Sequence, residues 1–421
     1  MGFGDVLWFL LFALVAVAAV LQSKRLFRHW FSPLSLVLGI NCVSVCSYHL
    51  RLLGMKDVSV HVHVIVLSCL GAYALGCALA AGRRPPPPEA VRERVDTRGL
   101  NAFFLVTAGI ATIGWLVAAL ILVTRRGGIG MLVRNLWLLQ DEFQMQGIGY
   151  LNMLGILVLP AFVIKRACGC RGRLDWPLMF SALWGLLLAG IKGFVFYSVL
   201  TAIVAWSLAR PDRFRPRHLL VTGTVLLGFF VAYNAKVDIF VSEIVTAGNG
   251  WFSQVPQLHW PYLYFVGAWP AMQNIVDGQV APPAILGAVT LNVLWKPAGD
   301  LLGLIESVPF SLPFSDIGAT LFNVYSMFGI LYQEWTWPGA VAICGLLGFV
   351  ATRLYLRARR AGYWAHILVY SLFAYGLFMS CFMYVYRFNE ALLMAYLYVA
   401  GFVLVRGGVL VDRRSEQGRH D

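Results

Sequence analysis

VSVHVHVIVLSCLGAYALGCALAA, residues 58–81, contains no Lys, Arg, Asp or Glu. A membrane helix needs roughly 20 such residues, so this stretch is long enough to cross a bilayer. It is one of many. Working outward from it, apolar runs at 3–22, 31–50, 99–123, 147–164, 176–190, 194–209, 218–236, 338–356, 364–384 and 391–410 give eleven expected spans in all. Over the whole chain of 421 residues, 59% are hydrophobic and 13% charged. Soluble domains carry about 25% charged residues, and half of that cannot coat a water-facing surface of this size. The runs are continuous and not alternating, which favours helices over a transmembrane barrel of strands. The expected fold class is an all-α polytopic integral membrane protein, a single membrane domain over 1–421.

The net charge of +13 would suggest nucleic acid in a soluble protein, but here the basic residues sit between apolar runs and set orientation. With residue 1 outside, 24 of the 33 Lys and Arg fall in inside segments and nine outside. This predicts a periplasmic N-terminus and a cytoplasmic C-terminus. The first span begins Met1-Gly2-Phe3-Gly4-Asp5, without a basic start, and has Lys24, Arg25 and Arg28 after it, the reverse of a cleavable leader. No cysteine lies in an outside segment, so no disulfide framework is implied. Cys168-Gly169-Cys170 has no second ligand pair, and His61 and His63, two apart, point to different sides of a helix. No metal and no cofactor is expected. Pro85 to Pro88 form an extended cytoplasmic spacer.

Two outside segments exceed a turn. In 124–146, Leu132, Leu136, Leu139 and Phe143 recur at helical spacing, which predicts a short amphipathic helix lying on the membrane. The segment 237–337 mixes acids with short apolar stretches at 284–294 and 317–331 and is rich in Trp and Tyr. Buried or re-entrant segments are expected there, because irregular backbone at membrane depth survives only where it lines a cavity. From Trp176 to Ala209 one helix would run about 51 Å at ~1.5 Å per residue. That lies between about 30 Å for one crossing and about 60 Å for two. Two short helices meeting at Gly190-Ile191-Lys192-Gly193 satisfy the count, and they leave Lys192 recessed below the outer surface. A charge there is a functional candidate by default.

Phe322-Asn323-Val324-Tyr325, then Tyr332-Gln333-Glu334-Trp335-Thr336-Trp337-Pro338-Gly339 running into a Gly-rich span, resembles the pattern of the bacterial oligosaccharide repeat-unit polymerases, the Wzy family. The span layout, with two outside loops and the larger one late, is also similar. The motif covers about 30 residues; the architecture covers most of the chain. That family usually carries arginine where the broken helices meet, and this chain has Lys192, which keeps the charge but loses bidentate phosphate recognition. The resemblance implies the fold of the C-type membrane glycosyltransferases in the bacterial inner membrane. It also implies transfer of an oligosaccharide from undecaprenyl pyrophosphate to a second lipid-linked unit, with a chain-length regulator as a further partner.

A departing pyrophosphate needs cations, and the outside candidates are Arg125, Arg126, Arg134, Lys192 and Arg387. An attacking sugar hydroxyl benefits from a base, for which His259, Glu334 and Asp316 are the candidates. Asn323, Tyr325 and Tyr332 belong to the motif and are expected at the substrate. An O-antigen ligase, a flippase for lipid-linked sugars, a membrane acyltransferase and an assembly subunit remain alternatives. The missing internal repeat argues against the flippase.

Overall fold

The computed structural model describes residues 2–29, 31–82, 96–126, 148–188, 192–211, 213–237, 250–283, 286–292, 312–360, 363–387 and 393–405. Among them the fold is all-α apart from one hairpin. Helices α1 (Phe3–Phe27), α2 (Ile40–His49), α3 (Val60–Ala81) and α4 (Thr97–Arg126) come first. They are followed by α5 (Ile148–Met153), α6 (Val158–Ala167), α7 (Asp175–Leu188), α8 (Lys192–Ala209) and α9 (Pro216–Val237). Short helices α10 (His259–Val266) and α11 (Ala268–Val276) precede strands β1 (Ser315–Asp316) and β2 (Leu321–Phe322). Helices α12 (Met327–Arg360), α13 (Trp364–Phe378) and α14 (Leu393–Val405) complete the chain.

Among the described residues six helices are long and apolar enough to cross a membrane: Phe3–Phe27, Val60–Ala81, Thr97–Arg125, Ile148–Ala167, Met327–Arg359 and Trp364–Cys381. Four more apolar helices, Ser35–His49, Asp175–Leu188, Gly193–Ala209 and Leu393–Val405, are shorter. The architecture is that of an all-α membrane protein. On α1, Leu7, Leu10, Leu14, Val17 and Leu21 are exposed, an apolar outer face suited to lipid. Two helices flank residues 189–191, as the length argument requires, and those three residues lie outside the described ones. The segment 124–146 is described only to Arg126.

One boundary differs from expectation. The run labelled α12 is two helices joined across the non-helical Thr336: the second restarts at Pro338, where the span is expected, and the first, from Met327, makes the end of the presumed loop helical. Its polar Gln333 and Glu334 are accommodated because both are hydrogen-bonded to backbone of another segment.

The chain divides into two compact units. The first comprises Met1–Pro87, Arg215–Leu356 and Gly376–Asn389; the second comprises Pro88–Phe214, Arg357–Tyr375 and Glu390–Asp421. In the first, α3 and α12 cross at backbone distance. A Cβ on Gly76 would lie 2.0 Å from the Gly345 carbonyl oxygen, and one on Gly348 would lie 2.2 Å from that of Tyr73. Small residues at such crossings are what allow helices to pack without a hydrophobic drive between them. Helix α2 is fastened to the 259–276 region by polar side chains: Trp269 donates to Ser44 (2.8 Å), and Tyr262 donates to the Ser47 carbonyl (2.7 Å). Asn41 donates to both Val37 O and Ser380 Oγ, at 2.8 and 2.7 Å.

In the second unit, Gly185 packs against Trp115 and Asn152, and Asn152 returns a hydrogen bond to the Gly185 carbonyl (3.0 Å). Lys165 and Asp175 form a fully buried ion pair at 2.5 Å, with the Gly172 N–H on the other carboxylate oxygen (2.7 Å). Lys165 also lies 4.9 Å from the Phe104 ring centre.

Candidate functional site

The stretch carrying the family resemblance folds as one unit. Ser315 pairs with Phe322 and Asp316 with Leu321 in a two-residue-wide antiparallel hairpin. Gly318 turns it at φ +91°, and a Cβ there would stand 2.8 Å from the Gly54 carbonyl oxygen. Glycine is required by both conditions. The hairpin is tied to its surroundings by Lys56 N–H to Ile317 O (2.8 Å) and Asn274 to Asp316 O (2.8 Å). Tyr325 donates its hydroxyl to Pro313 O (2.7 Å). One turn into α12, Gln333 donates to Ala281 O (2.8 Å), and Trp335 Nε1 donates to Thr290 Oγ1 (3.0 Å).

Glu334 is the centre of this arrangement. Its two oxygens accept from the backbone N–H groups of Val289 and Thr290, at 2.7 and 2.8 Å, and it is buried. Segment 286–292 thus obtains from a side chain the acceptors that its own irregular backbone lacks.

Helix α12 breaks directly after this cluster. Thr336 has φ 57°, ψ −178°, a conformation favourable only to glycine, and Pro338 restarts the helix two residues later. Such strain is of order 1–3 kcal/mol. Thr336→Gly is therefore expected to raise thermal stability by about 1 kcal/mol after the added chain entropy is subtracted. Thermal unfolding of purified protein in detergent measures it, and a lower melting temperature contradicts the assignment.

The candidate bases differ in surroundings. Glu334 is committed to backbone. His259 is also buried, with Nε2 2.9 Å from the Phe252 carbonyl oxygen, to which it donates. Asp316 is exposed; the Gly318 N–H and the Lys56 ammonium (3.3 Å) hold its carboxyl below the usual carboxylate range, which weakens it as a base. Asn323 and Tyr332 are half-buried, and Tyr325 is buried. All six belong to the first unit.

Arg125 is exposed at the end of α4 and belongs to the second unit. Arg134 and the side chains of Arg126, Lys192 and Arg387 lie outside the described residues.

The cations that do stand beside the hairpin are ones the sequence reading counted only for orientation. Lys56 faces Asp316, and Arg51 bridges Asp5 (3.0 Å) and Asp57 (2.7 Å). His49 and His63 join the same cluster. The segment 50–57 was legible as an outside turn, but nothing in its spacing shows that it packs under residues 315–320. His61, exposed on the first turn of α3, lies edge-on to Trp337, with ring centres 5.7 Å apart. Among the described residues no three His, Cys, Asp or Glu side chains gather to hold a metal ion.

The chain matches no known protein-family profile, no curated protein and no solved structure. Function therefore has to be argued from this site.

Proposed function

We propose that the protein is a bacterial inner-membrane glycosyltransferase that polymerises oligosaccharide repeat units carried on undecaprenyl pyrophosphate. Eleven spans, an outside N-terminus and an inside tail go with this reading, as does a chain-length regulator as partner. The observation that carries it is the folding of residues 312–337 around Glu334: the stretch that resembles the polymerase motif is a single built scaffold, with Trp335 and Trp337 flanking a strained turn. An exposed aromatic face beside a turn, as Trp337 presents, is suited to a sugar ring.

In this reading Glu334 and His259 shape the acceptor site, and His61, exposed and touching Trp337, is the side chain placed to take a proton from an attacking sugar hydroxyl. The leaving pyrophosphate falls to the cations Lys192, Arg387, Arg125, Arg126 and Arg134.

Deleting the gene and running the surface glycan on a gel tests the reading. A single retained repeat unit is expected. Complete loss of O-chain from the core means a ligase, and lipid-linked units trapped inside mean a flippase. Complementing with His61→Ala is expected to reduce polymer at least tenfold at normal protein level, in keeping with general-base contributions of about 10²–10⁴. Full polymer from that variant removes His61 from the mechanism.

A further inference from the structure

Three hydrogen bonds run in series through two buried imidazoles. Asp5 Oδ1 lies 2.9 Å from His49 Nδ1, His49 Nε2 lies 3.0 Å from His63 Nε2, and His63 Nδ1 lies 2.7 Å from the Ser59 carbonyl oxygen. Both ends of the series are acceptors. A carbonyl cannot donate, so His63 Nδ1 carries a hydrogen. Asp5 accepts from Arg51 Nε (3.1 Å) and Gly2 N–H (3.1 Å) as well, which keeps it a carboxylate, so His49 Nδ1 also carries a hydrogen. The bond between the two Nε2 atoms needs one more. Three hydrogens on two rings is one more than two neutral imidazoles possess.

We infer that His49 and His63 hold one shared excess proton, an imidazole–imidazolium pair balanced by Asp5, and that this proton fastens α1 to α2 and α3.

Burial opposes a charge here. Three features favour it. Asp5 supplies the counter-charge in direct contact with His49. Trp8 stacks on His63 with ring centres 4.3 Å apart and planes 14° from parallel, the geometry in which an indole face attracts a cation. The rest of the surroundings is close to charge balance: Arg51 is paired with Asp5 and Asp57, Lys56 with Asp316, and Tyr48 donates its hydroxyl to Lys56 O. His61 points away from the pair, towards Trp337. The small cavity beside His63 is lined by Phe12, Val45, Val62, Val66 and Trp269 among others, and offers no alternative acceptor apart from Tyr48.

If the excess proton is lost, one of the three bonds must fail. Two lone pairs then face each other between the rings, or His49 presents a lone pair to Asp5. The folded form binds the proton and the unfolded chain does not hold it in this network. Its stabilisation is present at the acidic end and is lost as the pH rises through the value at which the folded pair titrates.

Asp5→Asn separates this from an ordinary buried contact. The asparagine amide can turn its NH₂ group to His49 Nδ1 and its oxygen to the Gly2 N–H; Arg51, which shares Oδ1 with His49, then keeps Asp57 and the Tyr48 hydroxyl as its partners. All three bonds are then satisfied by two neutral rings, and the excess proton is no longer needed. The experiment is thermal unfolding of the full chain in lipid nanodiscs, from about pH 5 to 8, the imidazole range.

The wild type is expected to lose several degrees of melting temperature as the pH rises. His63→Gln is expected to melt lower with a flattened slope. Asp5→Asn is expected to be flat with pH. A wild-type melting temperature that is flat or rises with pH overturns the inference, and so does an Asp5→Asn variant that keeps the wild-type slope. Should Asp5→Asn fail to fold, 15N spectra of histidine-labelled wild type, assigned with His49→Gln and His63→Gln, decide the matter. A doubly protonated ring in this pair at the acidic end supports the inference, and two neutral rings overturn it.

Discussion

Asp175→Ala is expected to be the most destabilising single substitution in the second unit, by about 3–5 kcal/mol, because it leaves Lys165 charged, buried and without its partner. Neither side chain reaches solvent, and the Gly172 N–H loses its acceptor as well. Lys165→Met alone should cost comparably, since Asp175 would then be the stranded charge. The pair Lys165→Met with Asp175→Leu should recover most of the loss, because an ion pair taken out of water gains little over apolar side chains of similar volume. Unfolding of the three variants in detergent measures this. Equal damage from the double and single variants would mean that the pair is needed for its specific geometry and not for charge balance.

Lys165 also marks where the sequence stopped being legible. By position it is one of a cluster of loop cations, with Arg166, Arg171 and Arg173, and it was counted as an orientation signal. In the fold it is neutralised by Asp175, ten residues on. Arg210, likewise counted as an inside loop charge, is buried with its Nε on the Ala167 carbonyl (2.7 Å). Hydropathy reads length and polarity along the chain, and so it recovered the helices. It cannot tell a charge facing headgroups from one facing a carboxylate.

The same limit applied at His63. The 3.6-residue period separates it correctly from His61, but a period says nothing of His49, fourteen residues away on another helix. Thr336 was hidden for a different reason. Its side chain is compatible with ordinary helix or loop, and only the backbone between Trp335 and Pro338 places it in glycine's region. The start of α12 was missed because Gln333, Glu334 and the nearby aromatics have a loop's composition. Their polar groups are satisfied across the fold, by segments 281 and 289–290, with no signature in local sequence.

Glu334 carries the second large expectation, and here structure and catalysis predict different orders of effect. A carboxylate accepting two buried backbone N–H groups supplies two charge-assisted hydrogen bonds, each worth roughly 1.5–3 kcal/mol. Glu334→Ala strands both donors and is expected to cost about 3–5 kcal/mol and to loosen segment 286–292. Glu334→Gln keeps one acceptor oxygen but turns an NH₂ group towards the second donor, so its cost should fall near half of that. Polymer yield should follow stability: lowest in the alanine variant, intermediate in the glutamine variant, and partly restored in either by growth at reduced temperature. A general base behaves otherwise. Glutamine and alanine would then abolish polymer equally, with melting temperatures near wild type and no rescue in the cold. The graded outcome assigns Glu334 to holding the backbone of 286–292 in place. The all-or-none outcome would return it to the reacting hydroxyl and displace His61.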